Sequence, residues 1–283
     1  MTEAQGRVKP SGVWATAVGV ARVRALETGR ENPLFRDPLA LAFATAGGLG
    51  PESPLPDLDE AARRRWLGVA FSIIIRTKFL DDLLDQAAAA GVRQVVLLGA
   101  GMDSRAFRMD WPEGTRLFEV DTAEPLEFKD SVLRQERAVP RCERITVTVD
   151  LREDWPAALA AAGHDRSQPT VWIAEGLLIY LPEEAVERLI GLIGEQSAPG
   201  SRMGLTLGSR GVVSRFAADA AAGTAASMWV SEMPDDPIGW LAAHGWAAEA
   251  HTLRDRAAAY GRPITTEPRG DEGPGGLIHA LRA

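Results

Sequence analysis

Between Val95 and Arg108 the chain reads VVLLGAGMDSRAFR, a continuous apolar run that breaks at Gly99-Ala100-Gly101 and leads toward a helix. Glycine at such a turn admits positive φ and lets a ligand approach the main chain with no side chain between them. Two cofactor classes use this strand, glycine turn and helix at the carboxyl ends of a parallel sheet. The dinucleotide pattern Gly-x-Gly-x-x-Gly requires a third glycine, and that place is Ser104 here. Loop glycines without a ligand account for the turn equally well, so a second feature must decide. It comes where the next apolar run ends, at Phe118-Glu119-Val120-Asp121. A carboxylate about 20 residues beyond the glycines can accept both hydroxyl hydrogens of an adenosine ribose. Asp121 fits that role, with Glu119 second; the alternative is a solvent-facing acid that closes a strand.

Two further strand ends carry chemistry. Val149-Asp150-Leu151 offers an acid that can accept an adenine amine hydrogen, beside an apolar residue that can stack on the ring. Asp150 serves equally well as the N-cap of the next helix. Ala174-Glu175-Gly176 then places a carboxylate at a strand tip, where Glu175 could hold an ammonium group. Tyr180 follows as a candidate lining of a substrate pocket, its alternative being a core tyrosine with a satisfied hydroxyl.

These positions need a sheet to hold them. Continuous apolar strands separated by helical patterns are the mark of a doubly wound α/β fold, with a mostly parallel sheet covered on both faces. The spacing predicts strands at Val95–Leu98, Arg116–Asp121, Arg144–Val149, Thr170–Ala174 and Arg202–Leu207, then Trp246–Thr252 and Gly276–Leu281. It predicts helices over Gly12–Arg30, over Ile73–Ala90 with Gly91 as the stop, over Asp154–Ala162 and after Pro182. Residues 1–70, with the Gly/Pro-rich stretch Gly47–Asp59, read as a helical cap on a sheet domain spanning 71–283. Trp14, Phe35, Trp66, Phe71 and Met228 could give that cap an apolar surface over the crevice, although each could equally be core.

Bulk properties narrow the class. With 31 Lys+Arg against 39 Asp+Glu, the net charge of −8 argues against nucleic acid as a partner. Cys142 is the only cysteine and the four histidines show no i, i+4 pair, so neither a disulfide nor a metal site is expected. The N-terminal residues are polar, without the apolar stretch of a signal peptide, and no apolar run approaches the roughly 20 residues of a membrane span. The expectation is a cytoplasmic protein with no membrane partner; monomer and dimer both stay open.

The run GVRQVVLLGAGMDSRAFRMDWPEGTRLFEVDTAEPLEFK (91–129) resembles the leucine carboxyl methyltransferase family, most of all its actinobacterial branch, which includes polyketide O-methyltransferases of the tetracenomycin type. The likeness continues through VDLREDWPAAL, PTVWIAEGLLIYLP and GWAAEAHTLRDRAAAYGRP, and through ATAVGVARVRALET and NPLFRDPLA near the start. It implies a class I methyltransferase, Rossmann-like, with a seven-stranded sheet, an N-terminal helical cap and S-adenosyl-L-methionine as cofactor. Matched to the family's motifs, Arg76 in IIIRTKFLDDLL would bind the cofactor carboxylate. Gly99 and Gly101 would flank the methionine portion and Asp121 would hold the ribose. Asp150 and Leu151 would contact adenine, and Glu175 would be the acid after the fourth strand. Spacing alone also allows Arg76 a surface pairing with Asp81 or Asp82.

The implied reaction is methylation of a small-molecule acceptor, a carboxylate or hydroxyl of a polyketide or other secondary metabolite. A carboxylate needs no general base, and no histidine presents itself as one. Two rivals stand beside it. A nicotinamide-dependent oxidoreductase shares the glycine turn and Asp121 but wants a third glycine and a tyrosine–lysine pair. A non-catalytic S-adenosylmethionine-binding protein would keep the cofactor site without turnover.

Overall fold

A computed structural model describes residues 10, 12–53, 59–208, 228–231, 234–265 and 276–283. Its centre is a seven-stranded sheet of β1 (Gln94–Leu98), β2 (Arg116–Asp121), β3 (Glu143–Thr148), β4 (Thr170–Ala174), β5 (Arg202–Thr206), β6 (Trp246–His251) and β7 (Leu277–Arg282). The order across it is β3-β2-β1-β4-β5-β7-β6, parallel except for β7, which runs antiparallel to both neighbours. All seven expected strands are present, each within one residue of the expected bounds. The expected mostly parallel, doubly wound sheet is therefore observed, and its antiparallel member is the last strand.

Strands β1 and β4 are buried along their whole length because helices cover both faces. Alternate side chains feed two cores. Val95 and Leu97 pack with Ile75, Phe79 and Leu84 of α3 (Glu60–Ala89), whereas Val96 and Leu98 pack with Trp155 of α6 (Trp155–Ala161) and Ile190 and Ile193 of α7 (Glu183–Glu195).

Helix α1 (Ala15–Thr28) packs on α2 (Ala40–Ala46) and on α3. Asp59 caps α3 by accepting from the Ala62 N–H at 2.7 Å, and Gly91 ends it at φ +90°. The helix begins 13 residues before the expected Ile73, since Glu60–Arg65 has strong helix formers but no apolar stripe. Residues 70 and 71 lie inside it: its first half packs on α1 through Val23, Ala70 and Ile73, and its second half lies on the sheet. No helix among the described residues is long and apolar enough to cross a membrane.

Among the described residues the remaining α-helices are α4 (Arg105–Arg108), α5 (Ala123–Gln135), α8 (Pro237–Ala243) and α9 (Leu253–Ala259). The chain passes from β1 outward through β2 and β3, then returns to place β4 on the other side of β1. That reversal opens a crevice at the carboxyl ends of β1 and β4, the place where open α/β sheets take ligands.

Candidate functional site

A cleft of about 710 Å³ occupies this crevice. Its floor is the turn after β1, the end of β2 and the segment after β4; its roof is α1 and the first half of α3. Gly99 (φ +64°) and Gly101 (φ +43°) form the turn, with the Gly99 and Ala100 N–H groups donating to the Val120 carbonyl at 2.9 and 3.1 Å. A Cβ at Gly99 would sit 2.9 Å from Leu177 Cδ1, and one at Gly101 would sit 3.0 Å from Ala17 Cβ. Both the backbone conformation and the space therefore require glycine.

Asp121 lies at the end of β2 with its carboxylate turned back onto the glycine turn. Oδ2 accepts from Gly101 N–H at 2.7 Å and Oδ1 from Thr122 N–H at 2.8 Å. Burial pushes its pKa up, and the two backbone donors work against that rise. Each oxygen keeps a lone pair that can accept a hydroxyl hydrogen.

The other end of the cleft is strongly charged. Glu175 accepts from Arg76 Nε at 3.0 Å, from Arg105 Nη2 at 2.9 Å and from Thr77 Oγ1 at 3.3 Å. Burial alone would raise its pKa, but Arg105 and Arg76 outweigh that and hold the carboxyl below its ordinary value. Gly176 (φ +60°) leaves room for the Arg76 guanidinium, whose Nη2 lies 3.0 Å from where a Cβ would be. The surface pairing open to Arg76 does not form. Asp81 is taken by Arg105 (2.8 Å) and Arg108 (2.7 Å), while Asp82 takes Lys78 (2.5 Å) and the Tyr260 hydroxyl (2.8 Å).

Arg76, Gly99, Gly101, Asp121, Glu175 and Tyr180 all line this one cleft. Tyr180 ends a 3-10 turn, with its hydroxyl 3.3 Å from Thr16 Oγ1 of α1. Asp150 and Leu151 stand outside the lining. The Val149 N–H donates to the Asp121 carbonyl at 3.0 Å, which keeps that segment beside the end of β2. The Asp150 carboxylate is engaged by exposed Arg152 (Nε at 2.9 Å), and the cap of α6 is Asp154 instead. Trp14 and Trp66 line the cleft, whereas Phe35, Phe71 and Met228 do not.

Sequence reasoning passed over three lining or supporting residues. Arg105 is wholly buried and holds Asp81, Asp103 (2.5 Å) and Glu175 together. Asp103 would be raised by burial, yet Arg105, Lys129 and Arg24 draw it down to about 2. Arg24 of α1 reaches Asp37 at 2.8 Å and the Met102 carbonyl, tying the cap to the glycine turn. The available signal was a pair of opposite charges, Asp103 and Arg105, in a segment otherwise destined for the core.

The strand order, with an antiparallel β7 between β5 and β6, and the glycine turn facing a carboxylate at the end of β2 define the class I methyltransferase fold. A solved Thermobifida fusca protein classed among methyltransferases shares that fold at a TM-score of 0.52 and 19% identity, over 97% of this chain and 96% of its own. The model of the leucine carboxyl methyltransferase family matches residues 17–194, and the chain belongs to that family. A Streptomyces avermitilis protein is 80% identical over 100% of both chains, and a Frankia alni protein is 78% identical over 100% of this chain and 99% of its own. The names of both assign them to the S-adenosyl-L-methionine-dependent methyltransferases.

Proposed function

We propose that this S-adenosylmethionine-dependent methyltransferase acts on an oxygen of a small-molecule acceptor, and that the acceptor is a carboxylate. The family and the close relatives support the general activity. The site fits the cofactor. The glycine turn leaves space that a Cβ would fill, Asp121 offers acceptor lone pairs to a ribose diol, and the charged end carries groups of both signs.

In this reading Gly99 and Gly101 admit the methionine portion, while Glu175 takes the ammonium group. Arg76 engages Glu175 through Nε and would meet the cofactor carboxylate with the rest of its guanidinium. Asp150 and Leu151 would serve adenine, which requires exposed Arg152 to release the Asp150 carboxylate. The bound cofactor supplies an electrophilic methyl carbon. The protein's part is to align the acceptor behind that carbon and to exclude water from both partners, and alignment can supply roughly 7–11 kcal/mol of the barrier. Trp14, Val20, Trp66, Val69 and Ile73 give the roof the apolar surface for this.

The observation that carries the choice of acceptor is the chemistry of the lining. Among the described residues no histidine, lysine or cysteine lines the cleft; its titratable groups are Arg24, Arg76, Asp103, Asp121, Glu124, Glu175 and Tyr180. Asp103 and Glu175 are held ionised by arginines, and an ionised acid in such a pair is a poor proton acceptor. A carboxylate arrives ionised and needs no base, whereas an alcohol or phenol must lose a proton on the way.

The test measures methyl ester formation from S-adenosylmethionine across matched aromatic and aliphatic acids and phenols, as a function of pH. Turnover of an acid with a rate flat from about pH 6.5 to 9 supports the reading, since carboxylic acids titrate well below that window. Turnover of phenols alone, rising with pH, contradicts it.

A further inference from the structure

Away from the cleft, the sheet edge gathers three metal-ligating side chains that methyl transfer does not use. Glu249 and His251 lie two residues apart on β6 and so project from one face. His279 of β7 stands directly opposite Glu249 in the antiparallel register and diagonal to His251, which faces Leu277. His251 Nε2 lies 3.5 Å from His279 Nδ1, and the rings stack with centroids 5.7 Å apart. Glu249 Oε2 lies 3.9 Å from Nε2 of each ring, too far for a hydrogen bond. One ligand atom from each residue lies within 4.8 Å of the other two.

Tetrahedral zinc, with bonds of about 2.0–2.1 Å, spaces its donors about 3.3 Å apart. The imidazole pair is already close to that spacing. The Glu249 side chain is 70% exposed and can rotate inward to close the remaining two edges. Phe79, edge-on to His251 at 5.6 Å, and buried Leu277 wall the inner side. Arg256 and Asp255 of α9 also face His251. The Arg256 guanidinium lies over the Phe79 and Tyr260 rings at 5.4 Å, and Asp255 Oδ2 accepts at 2.8 Å from the hydroxyl of Thr252, the N-cap of its own helix.

We propose that Glu249, His251 and His279 bind a divalent transition-metal ion of the zinc class, which ties edge strand β6 to β7. Three protein ligands leave a fourth position for water. None of the three lines the cleft, so metal loading leaves cofactor binding unchanged. The helical i, i+4 spacing absent from the histidines has its strand counterpart here, in i, i+2 plus a cross-strand neighbour.

The full chain, stripped with a chelator and dialysed, is titrated with zinc chloride by calorimetry, with magnesium chloride in parallel, and melted with and without zinc. The expected result is one zinc per chain, a higher Tm and no response to magnesium. Glu249→Gln should weaken zinc binding roughly tenfold or more, and His251→Ala with His279→Ala should abolish it. Circular dichroism and S-adenosylhomocysteine binding report whether each variant is folded. No zinc binding, equal binding of magnesium, or undiminished binding in the double variant overturns the proposal. Should the double variant not fold, Glu249→Gln decides alone, and an unchanged zinc affinity overturns it.

Discussion

The backbone N–H of Gly101 donates to Asp121 Oδ2 at 2.7 Å, so the glycine turn after β1 and the acid at the end of β2 form one unit. Each fixes the other: the turn presents its amides because the carboxylate receives one of them, and the carboxylate is aimed because Thr122 N–H holds its other oxygen. Asp121→Ala should therefore weaken S-adenosylhomocysteine binding at least about tenfold, the equivalent of about 1.4 kcal/mol. Asp121→Asn, which keeps one acceptor oxygen, should fall between the two in calorimetric titration. A dissociation constant unchanged in both variants would remove Asp121 from the site.

Gly99→Ala tests the turn itself. A side chain there meets Leu177 and is forced to φ +64°, which costs about 1–2 kcal/mol for the backbone alone. Urea denaturation should show that loss, together with weaker cofactor binding. Full stability in the variant would mean that the turn relaxes at no cost.

Arg105 is the keystone of the charged end, bound to Asp81, Asp103 and Glu175 with a side chain only 2% exposed. Arg105→Ala leaves three carboxylates without their shared cation and should destabilise the protein by about 3–5 kcal/mol in urea. A loss below about 1 kcal/mol would show that Arg76 and Arg108 suffice.

Tyr180→Phe separates packing from proton transfer. With an ionised acceptor the hydroxyl has no proton to take, so turnover should drop by less than about tenfold, with S-adenosylhomocysteine binding unchanged. A loss of about 10²–10⁴ would make Tyr180 a general base.

Stability should fall in two acid windows. Burial among Phe118 and Trp172 pushes the His164 pKa down from 6.5 to about 4, so the unfolded chain takes up that proton first. Stability is then lost as pH falls from 6.5 toward 4, by about 3 kcal/mol at most. His164→Gln should flatten this window. Asp103 has the depressed pKa of an ion-paired acid, about 2 against 3.8, so its contribution is complete above 3.8 and disappears as pH falls through 2. Urea midpoints from pH 7 to 2 check both windows, and a flat profile between 6.5 and 4 contradicts the first.

Much of the framework was legible because strands buried on both faces read as unbroken apolar runs, as in Val95–Leu98 and Thr170–Ala174. The glycine turn and Asp121 were legible for a related reason: only a few residue types can stand at a strand end beside a close-packed turn. What escaped depends on long-range pairing. Nothing in the spacing of Asp81, Asp103, Arg105 and Glu175 announces that one buried guanidinium will collect three acids from α3, the glycine turn and the end of β4. The start of α3 escaped because its first turns face α1 and solvent and so lack a clear stripe. Likewise, Glu249 and His279 meet only through a strand register that the sequence does not print.

Calorimetric titration of the full chain with S-adenosylhomocysteine, alongside NADH, reads out whether the cleft beside Gly99, Gly101 and Asp121 takes the methyl donor's nucleoside. A single site per chain for the first ligand, weakened by Asp121→Ala, and no response to the second is the predicted result. No affinity for S-adenosylhomocysteine or S-adenosylmethionine would contradict the account.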